Sequence, residues 1–237
     1  MRLGMLTPSS NTVLEPLTAA MLADLPGTSA HFSRFRVVAI DLGPGSRGQF
    51  DPAPVAAAAE LLADARVDSI CWNGTSGAWL GLEVDRALCR AVTERTGIPA
   101  TTATLALMDA LDRLGARRYG LVTPYLGEVQ AAIVARWAET GLECAAERHL
   151  DDPGNFSFAE HGEDAVRRMA REVAVAKPNA VVVHCTNFRG GRVAPELEVE
   201  LGVPVLDSVS VALWGAVRAA NGDPAPLAKR WGRVFAL

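Results

Sequence analysis

An internal repeat constrains the fold of this chain more than any other feature of its sequence. Residues 118–125 (RYGLVTPY) resemble residues 2–9 (RLGMLTPS) position for position, at an offset of 116. Residues 202–204 (GVP) resemble residues 97–99 (GIP) at an offset of 105. Glycine–proline turns of this kind are common enough to match by chance. Matches that occur in the same order in both halves, with the offset between matching residues decreasing slowly along the chain, favour two homologous halves.

A third match lies between these two, where a short apolar run ends in polar residues in each half. The segments are residues 67–77 (VDSICWNGTSG) and 181–187 (VVVHCTN), and they align Gly74 with Cys185 at an offset of 111. Short apolar runs of this kind predict buried central strands of a parallel sheet. The polar residues then fall at the carboxyl ends of the strands, where open α/β sheets place ligand sites.

Strand-like and helix-like segments alternate, which predicts an α/β fold. In the first half we predict strands at 2–6, 28–40 and 67–72, a short strand beginning at 98, and helices at 14–25, 54–65, 82–96 and 105–114. We predict two pseudosymmetric lobes, residues 1–115 and 116–237, each with a parallel sheet flanked by helices. The functional cleft is expected between them, and the final helix is a candidate for packing on the other lobe.

The longest stretch rich in turn residues, residues 41–51, is a candidate lid over the cleft. Its glycines match neither the dinucleotide-binding nor the triphosphate-binding spacing. Arg47, within this stretch, is a candidate clamp on a carboxylate of the ligand.

Composition and charge narrow the function classes. The chain is 49% hydrophobic and 21% charged, which is typical of globular proteins, and its net charge of −4 argues against a nucleic-acid partner. No apolar run is long enough to span a bilayer, and the N-terminal segment before Pro8 is too short for a signal peptide. The cysteines lack CxxC spacing, which is typical of free thiols in a reducing compartment, so we expect a cytoplasmic protein without a membrane partner.

No cofactor or metal is predicted from the sequence. Neither GxGxxG nor GxxxxGK[ST] occurs, and the histidines are scattered without the spacing of metal ligands. The histidines are His31, His149, His161 and His184.

Hydroxyl and amide side chains at the predicted strand ends favour a carboxylate-binding site. Thr75, Ser76, Thr186 and Asn187 follow the two central strands, and Asn11 and Tyr125 lie on the opening loops of the two halves. Backbone N–H groups at strand-to-helix turns bind anions. The alternative is that Thr75 and Ser76 only cap the helix that follows.

Cys185 is the candidate for proton transfer. A thiol beside a helix N-terminus and polar donors can have a lowered pKa and exchange protons near neutral pH. The alternative is a buried structural thiol, which we expect for Cys71 and Cys89. His184 is not expected to pair with Cys185, because neighbours on a strand point to opposite faces. Trp79 is a candidate wall of the cleft, whereas Trp72 is predicted to be a core residue.

The motifs resemble the aspartate/glutamate racemase superfamily, in its maleate cis-trans isomerase and arylmalonate decarboxylase branch, over essentially the whole chain. Residues 7–12 (TPSSNT) resemble the opening motif of the isomerases, and residues 123–125 (TPY) match a tyrosine loop of both groups. Residues 74–76 (GTS) together with Cys185, and residues 201–205 through Trp214, are similar to the decarboxylase pattern. Asn155 matches a substrate-contacting asparagine of the isomerases.

The resemblance implies two Rossmann-like lobes with the active site between them, no cofactor, and a small mono- or dicarboxylate substrate. A homo-oligomer is left open. The racemases and isomerases of this superfamily use one cysteine from each lobe, but here the first position is Gly74. A single proton donor suits a decarboxylase that passes through an enediolate. The chain departs from the decarboxylase pattern at Thr186, where that pattern has glycine.

Three functions therefore compete at this stage. The first is a cofactor-independent decarboxylase of a malonate-type acid, with Cys185 as proton donor. The second is a cis-trans isomerase or racemase of a small dicarboxylate, and the third is a carboxylate-binding protein without catalytic activity. The residues predicted to bind substrate are Asn11, Gly74, Thr75, Ser76, Tyr125, Asn155 and Thr186.

Overall fold

A computed structural model describes residues 1–37, 40, 42 and 52–237 of the chain. The predicted lid at residues 41–51, apart from Leu42, and the predicted clamp Arg47 lie outside the described residues.

Two four-stranded parallel sheets form the framework of the protein. The first sheet contains β1 (Arg2–Pro8), β2 (Ser29–Phe35), β3 (Ser69–Trp72) and β4 (Ala100–Thr102). The second contains β5 (Arg118–Thr123), β6 (Glu143–His149), β7 (Ala180–Val183) and β8 (Val205–Asp207). The strand orders, β2-β1-β3-β4 and β6-β5-β7-β8, are the same, so the prediction of two α/β lobes with parallel sheets is confirmed.

Helices cover the faces of both sheets. In the first lobe they are α1 (Leu14–Leu22), α2 (Pro52–Asp64), α3 (Gly77–Leu80), α4 (Leu82–Thr96) and α5 (Ala103–Arg113). The helices that follow β5 in the chain are α6 (Gly127–Ala138), α7 (Glu163–Ala174), α8 (Ala194–Leu201), α9 (Ser208–Ala219) and α10 (Ala228–Trp231). Single 3₁₀ turns lie at Ser157–Glu160, Ala225–Leu227 and Arg233–Ala236.

The central strands β3 and β7 are buried along their whole length, as their apolar sequences predict. Their registers correspond, because Leu6 of β1 pairs with Trp72 and Val122 of β5 pairs with Val183. The two strands therefore end at equivalent places in their sheets, and the residues after them lie at corresponding positions.

The second lobe contributes a helix to the core of the first. α9 follows β8 but packs against β3, β4 and α5. The Ser69 hydroxyl of β3 donates a hydrogen bond to the Ala216 carbonyl of α9 at 2.8 Å. The last helix, α10, also reaches the first lobe, since the Trp231 indole N–H donates to Asp24 at 2.7 Å. The exact lobe boundary at residue 115 stays a prediction.

Two elements are shorter than the sequence predicts. α1 ends at Leu22 rather than at residue 25, ahead of Pro26, because a proline disfavours helical backbone in the residue before it. β2 ends at Phe35 rather than at residue 40. Phe35 pairs with Pro8, the last residue of β1, so the ladder has no partner beyond that point.

Candidate active site

A small cavity lies between the carboxyl ends of the two sheets and brings together all the predicted site residues. Its volume is about 20 Å³. It is lined by the predicted residues Asn11, Gly74, Thr75, Ser76, Tyr125, Asn155, Cys185 and Thr186, and further by Pro8, Val37, Ile40, Trp72, Trp79 and Asn187.

Cys185 lies two residues beyond the end of β7 and is 4% exposed. Burial raises the pKa of its thiol to about 12, although hydrogen bonds from the Tyr125 hydroxyl and the Asn187 backbone N–H act in the opposite direction. The Asn187 N–H lies 3.4 Å from the sulfur. At neutral pH this thiol is protonated, so it can give a proton but is a poor nucleophile.

The predicted lowering of the Cys185 pKa is therefore wrong. That prediction assumed a helix N-terminus immediately after the strand. In the structure the next helix along the chain, α8, begins only at Ala194, so Cys185 does not lie at the N-terminus of that helix. The loss of hydration on burial then dominates.

The Tyr125 and Thr75 hydroxyls join the two lobes beside this thiol, with their oxygens 2.6 Å apart. Burial raises the pKa of Tyr125 well above its usual value, so the phenol is neutral. The Tyr125 ring is fixed by edge contacts with Trp79 and Phe158, each at 5.5 Å between centroids. Trp79 lines the cavity, as predicted.

The turn after β3 is not held by side-chain capping. Ser76 is the N-cap residue of α3, but its hydroxyl makes no capping hydrogen bond. The Thr75 hydroxyl is engaged with Tyr125 of the other lobe rather than with the helix. The alternative in which these two residues serve only as caps is thus not what the structure shows.

Trp72 fills the space over Gly74. A Cβ atom added at Gly74 would lie 1.9 Å from Cζ2 of the Trp72 indole, far inside any real contact distance. The indole packs on Phe35 with ring centroids 4.7 Å apart. Trp72 is buried, as predicted for a core residue, but it also lines the cavity, which the sequence analysis did not predict.

Asn11 and Thr186 brace the cavity across the lobes. The Asn11 amide donates to the Thr186 hydroxyl at 3.0 Å, and that hydroxyl donates to the Asn73 carbonyl at 2.7 Å. The Asn11 side-chain oxygen accepts from the backbone N–H groups of Val13 and Leu14 at the start of α1. These side chains are therefore held in fixed orientations at the rim of the cavity.

Asn187 and Asn155 form a second brace. The Asn187 amide donates to the Asn155 carbonyl at 2.6 Å, while its oxygen accepts from the Thr12 N–H at 2.9 Å. The Asn155 amide donates to the Val37 carbonyl at 3.2 Å. Asn155 is thereby placed at the cavity although it lies on the loop between β6 and α7.

His184 points away from Cys185, as the alternation of side chains along a strand predicts. Its Nδ1 lies 3.3 Å from the Ser208 hydroxyl, and its ring meets the Trp137 indole at 5.2 Å between centroids. Burial lowers the pKa of His184 to about 3, so the imidazole is neutral. It takes no part in a cysteine–histidine pair.

Among the cavity residues that were not predicted, Trp72 alone carried a partial sequence signal. Trp72 stands two residues before Gly74, and side chains at this spacing share one face of a strand. Val37 and Ile40 follow β2 without any polar signal, so only the fold places them at the cavity. Within the described ranges, no group of three or more histidine, cysteine or acidic side chains is arranged to hold a metal, and no helix is long and apolar enough to cross a membrane.

The sequence is similar to one protein family and to enzymes of two kinds. The family model described as arylmalonate decarboxylase matches residues 46–235. The arylmalonate decarboxylase of Bordetella bronchiseptica is 32% identical over 165 residues, which is 68% of each chain. The maleate isomerase of Geobacillus stearothermophilus is 24% identical over 231 residues, covering 93% of this chain and 92% of the isomerase.

The fold also matches a solved structure over nearly its whole length. The maleate cis-trans isomerase of Nocardia farcinica, in a variant with a covalently bound succinylcysteine intermediate, superimposes with a TM-score of 0.88 at 24% identity. The match covers 99% of this chain and 97% of the isomerase.

Proposed function

The chain belongs to the arylmalonate decarboxylase family, and from that membership we propose that it is a cofactor-independent decarboxylase of a small malonate-type dicarboxylic acid. The membership confirms the resemblance to the branch that contains decarboxylases and maleate isomerases. Because its relatives are lyases and isomerases, the chain is an enzyme, which argues against a binding protein without catalytic activity.

One observation carries the choice of decarboxylation: a single protonated thiol lines the cavity, and a glycine stands at the corresponding position of the other lobe. Exchange of protons on both faces of a carbon atom needs an acid–base group on each face. Cys185 supplies one such group, while Gly74 has no side chain and lies beneath the Trp72 indole. Among the described residues, no other cysteine lines the cavity. Delivery of a proton from one face is what a decarboxylase requires.

The proposed reaction balances with this set of groups. The bond between C2 and one carboxylate breaks, CO₂ departs, and the electron pair remains on C2 and the second carboxylate as an enediolate. Hydroxyls of Thr75, Ser76 and Tyr125 stabilise the developing negative charge on the oxygens. The Cys185 thiol then gives its proton to C2, and the thiolate regains a proton from solvent before the next turnover.

Desolvation contributes to the first step. Val37, Ile40 and Trp79 present apolar surface to the cavity. A carboxylate placed against such surface loses hydration, which favours its departure as neutral CO₂. Asn11, Asn155 and Thr186 are proposed to orient the carboxylate that remains, because their polar groups lie at the cavity rim.

Cis-trans isomerisation of a small dicarboxylate is the second candidate. The similarity to the maleate isomerase of Geobacillus stearothermophilus over 93% of this chain favours it. Covalent attack by Cys185 would require a thiolate, and the raised pKa of this thiol argues against that step.

A single substrate panel tests the choice. CO₂ release from malonate, methylmalonate and phenylmalonate is measured beside conversion of maleate to fumarate. We expect CO₂ release only, with one deuterium incorporated stereospecifically at C2 of the methylmalonate product in D₂O. Conversion of maleate without CO₂ release from any malonate would establish the isomerase instead.

A further inference from the structure

A second cavity lies directly behind the wall of the active site. It has a volume of about 250 Å³ and opens between α2 and α4. We call this cavity the annex; it is lined by Val55, Trp72, Ser76, Val84, Asp85, Ala87, Leu88 and Ala91. The side chains of α4 that face it are mostly small and apolar.

Trp72 and Ser76 line both cavities, so they form the partition between them. The active-site cavity of about 20 Å³ is far smaller than the annex. The indole of Trp72 occupies the volume over Gly74, and the protonated thiol of Cys185 lines the same cavity. Any group of a bound acid that points toward Gly74 therefore meets this indole.

The indole is a fixed part of the wall. Trp72 is 3% exposed and packs on the Phe35 ring. At the corresponding position of β7 stands Val183, a much smaller side chain. The bulk at position 72 is thus a property of this one strand end rather than of the fold.

We propose that Trp72 is a specificity-determining residue that restricts the substrate to acids with a small group on the side of Gly74. Removal of the indole joins the active site to the annex, which then receives a larger apolar substituent such as a phenyl ring. The inference rests on the proposed function for the identity of the substrate, but its steric content applies to any carboxylate bound in this cavity.

Binding of unreactive acids tests the proposal without any turnover. Acetate and phenylacetate are titrated into the wild-type protein and into Trp72→Leu by calorimetry. We expect the wild type to prefer acetate, and Trp72→Leu to shift the ratio of the two affinities toward phenylacetate by about tenfold or more. Equal binding of both acids by the wild type, or an unchanged ratio in a folded variant, would overturn the proposal. If Trp72→Leu fails to fold, Trp72→Phe replaces it, with the same sign and a smaller shift expected.

A filling mutation provides the matched control. Ala91→Phe adds a ring to the annex from α4 and leaves the active-site lining unchanged. We expect it to have no effect on acetate binding alone, and to cancel the gain in phenylacetate binding in the Trp72→Leu background. Persistence of the full gain in the double variant would show that the annex is not the receiving space.

Turnover on the same variants separates this inference from the proposed function. Release of CO₂ from phenylmalonate relative to malonate is expected to rise with the binding ratio. If the binding ratio shifts but no malonate yields CO₂, the decarboxylase assignment fails and the role of Trp72 stands. If CO₂ is released but neither the binding ratio nor the turnover ratio shifts, the decarboxylase assignment stands and the proposed role of Trp72 fails.

Discussion

The carboxyl ends of β3 and β7 occupy equivalent places in two sheets of the same strand order. The large and small side chains at these two strand ends are nevertheless placed differently. β3 ends in tryptophan, and glycine follows two residues later. β7 ends in valine, and cysteine follows at the same spacing. Residues two apart share a strand face, so in each lobe the pair fills one volume. The site is therefore asymmetric because the two repeated backbones carry different side chains: a large ring beside a glycine in the first lobe, and a valine beside a thiol in the second.

The two strand ends also differ in what they offer a substrate. The first presents the hydroxyls of Thr75 and Ser76, with Tyr125 of the other lobe bonded to Thr75. The second presents a thiol whose pKa is raised by burial. One lobe is suited to hold negative charge and the other to deliver a proton.

The largest effect is expected from removing the thiol. Cys185→Ala is expected to lower kcat for CO₂ release by about 10²- to 10⁴-fold, because it removes the proton donor for C2. Binding of acetate should change little. The matched control is Cys89→Ala, a partly buried thiol on α4 that does not line the cavity. Full activity in Cys185→Ala would refute both enzymatic hypotheses.

Each lobe also buries a carboxyl group that does not line the active-site cavity, Asp85 in the first lobe and Asp207 in the second. Burial raises the pKa of each from 3.8 to about 7, against hydrogen bonds that favour the charged form. Between these pH values only the unfolded chain loses the proton, so the free energy of unfolding falls as pH rises. Each group accounts for up to roughly 4 kcal/mol of that fall.

Chemical denaturation at pH 4 and pH 7 measures this dependence. Asp207→Asn is expected to reduce the difference in unfolding free energy between the two pH values. Asp223→Asn, an exposed acid, serves as the control and should leave the difference unchanged. A pH dependence that is the same in Asp207→Asn and in the wild type would mean that Asp207 is ionised in the folded protein.

The packing of Trp72 over Gly74 predicts a smaller, context-dependent effect on stability. Gly74→Ala is expected to destabilise the protein by about 1–3 kcal/mol, because the new Cβ collides with the indole. In a Trp72→Val background, which copies the valine of β7, the same substitution should cost much less. A double-mutant cycle by denaturation gives the coupling, and additive effects would contradict the contact.

The same contact constrains transfer of a second thiol to the first lobe. In Gly74→Cys alone, the Trp72 indole is expected to keep the new thiol from reaching C2 of a bound acid, so deuterium exchange should occur from one face only. Combined with Trp72→Val, it should permit exchange of deuterium at C2 of 2-substituted acids from both faces. Exchange in Gly74→Cys equal to that in the double variant would contradict the steric block.

The smallest effect is expected at the hydroxyl pair between the lobes. Tyr125→Phe removes the hydrogen bond to Thr75 and should cost about 1 kcal/mol of stability. Because the Tyr125 hydroxyl lowers the pKa of Cys185, its loss should also slow alkylation of this thiol at alkaline pH. Thr140→Val, remote from the cavity, controls for loss of a hydroxyl. Faster alkylation in Tyr125→Phe would mean that the phenol shields the sulfur rather than bonding to it.

Much of the fold and the residue set of the site could be predicted because both depend on local pattern. The repeat gave the two lobes, and the rule that ligands lie at strand ends brought Gly74 and Cys185 together. Two properties depend on tertiary packing instead. The pKa of Cys185 is governed by how completely the fold buries the thiol, which no local sequence pattern specifies. The role of Trp72 depends on which volume its ring fills, which periodicity along a strand does not specify.

The position of α9 has a consequence for how the protein acquires its structure. This helix is encoded after residue 207, yet it covers β3, β4 and α5 near the beginning of the chain. During synthesis the first sheet is complete in sequence long before its cover has left the ribosome, so its apolar face waits uncovered until the final segment emerges. Ribosome-stalled chains ending before Ser208 should accordingly be cleaved by protease within β3 to α5, and full-length chains should not.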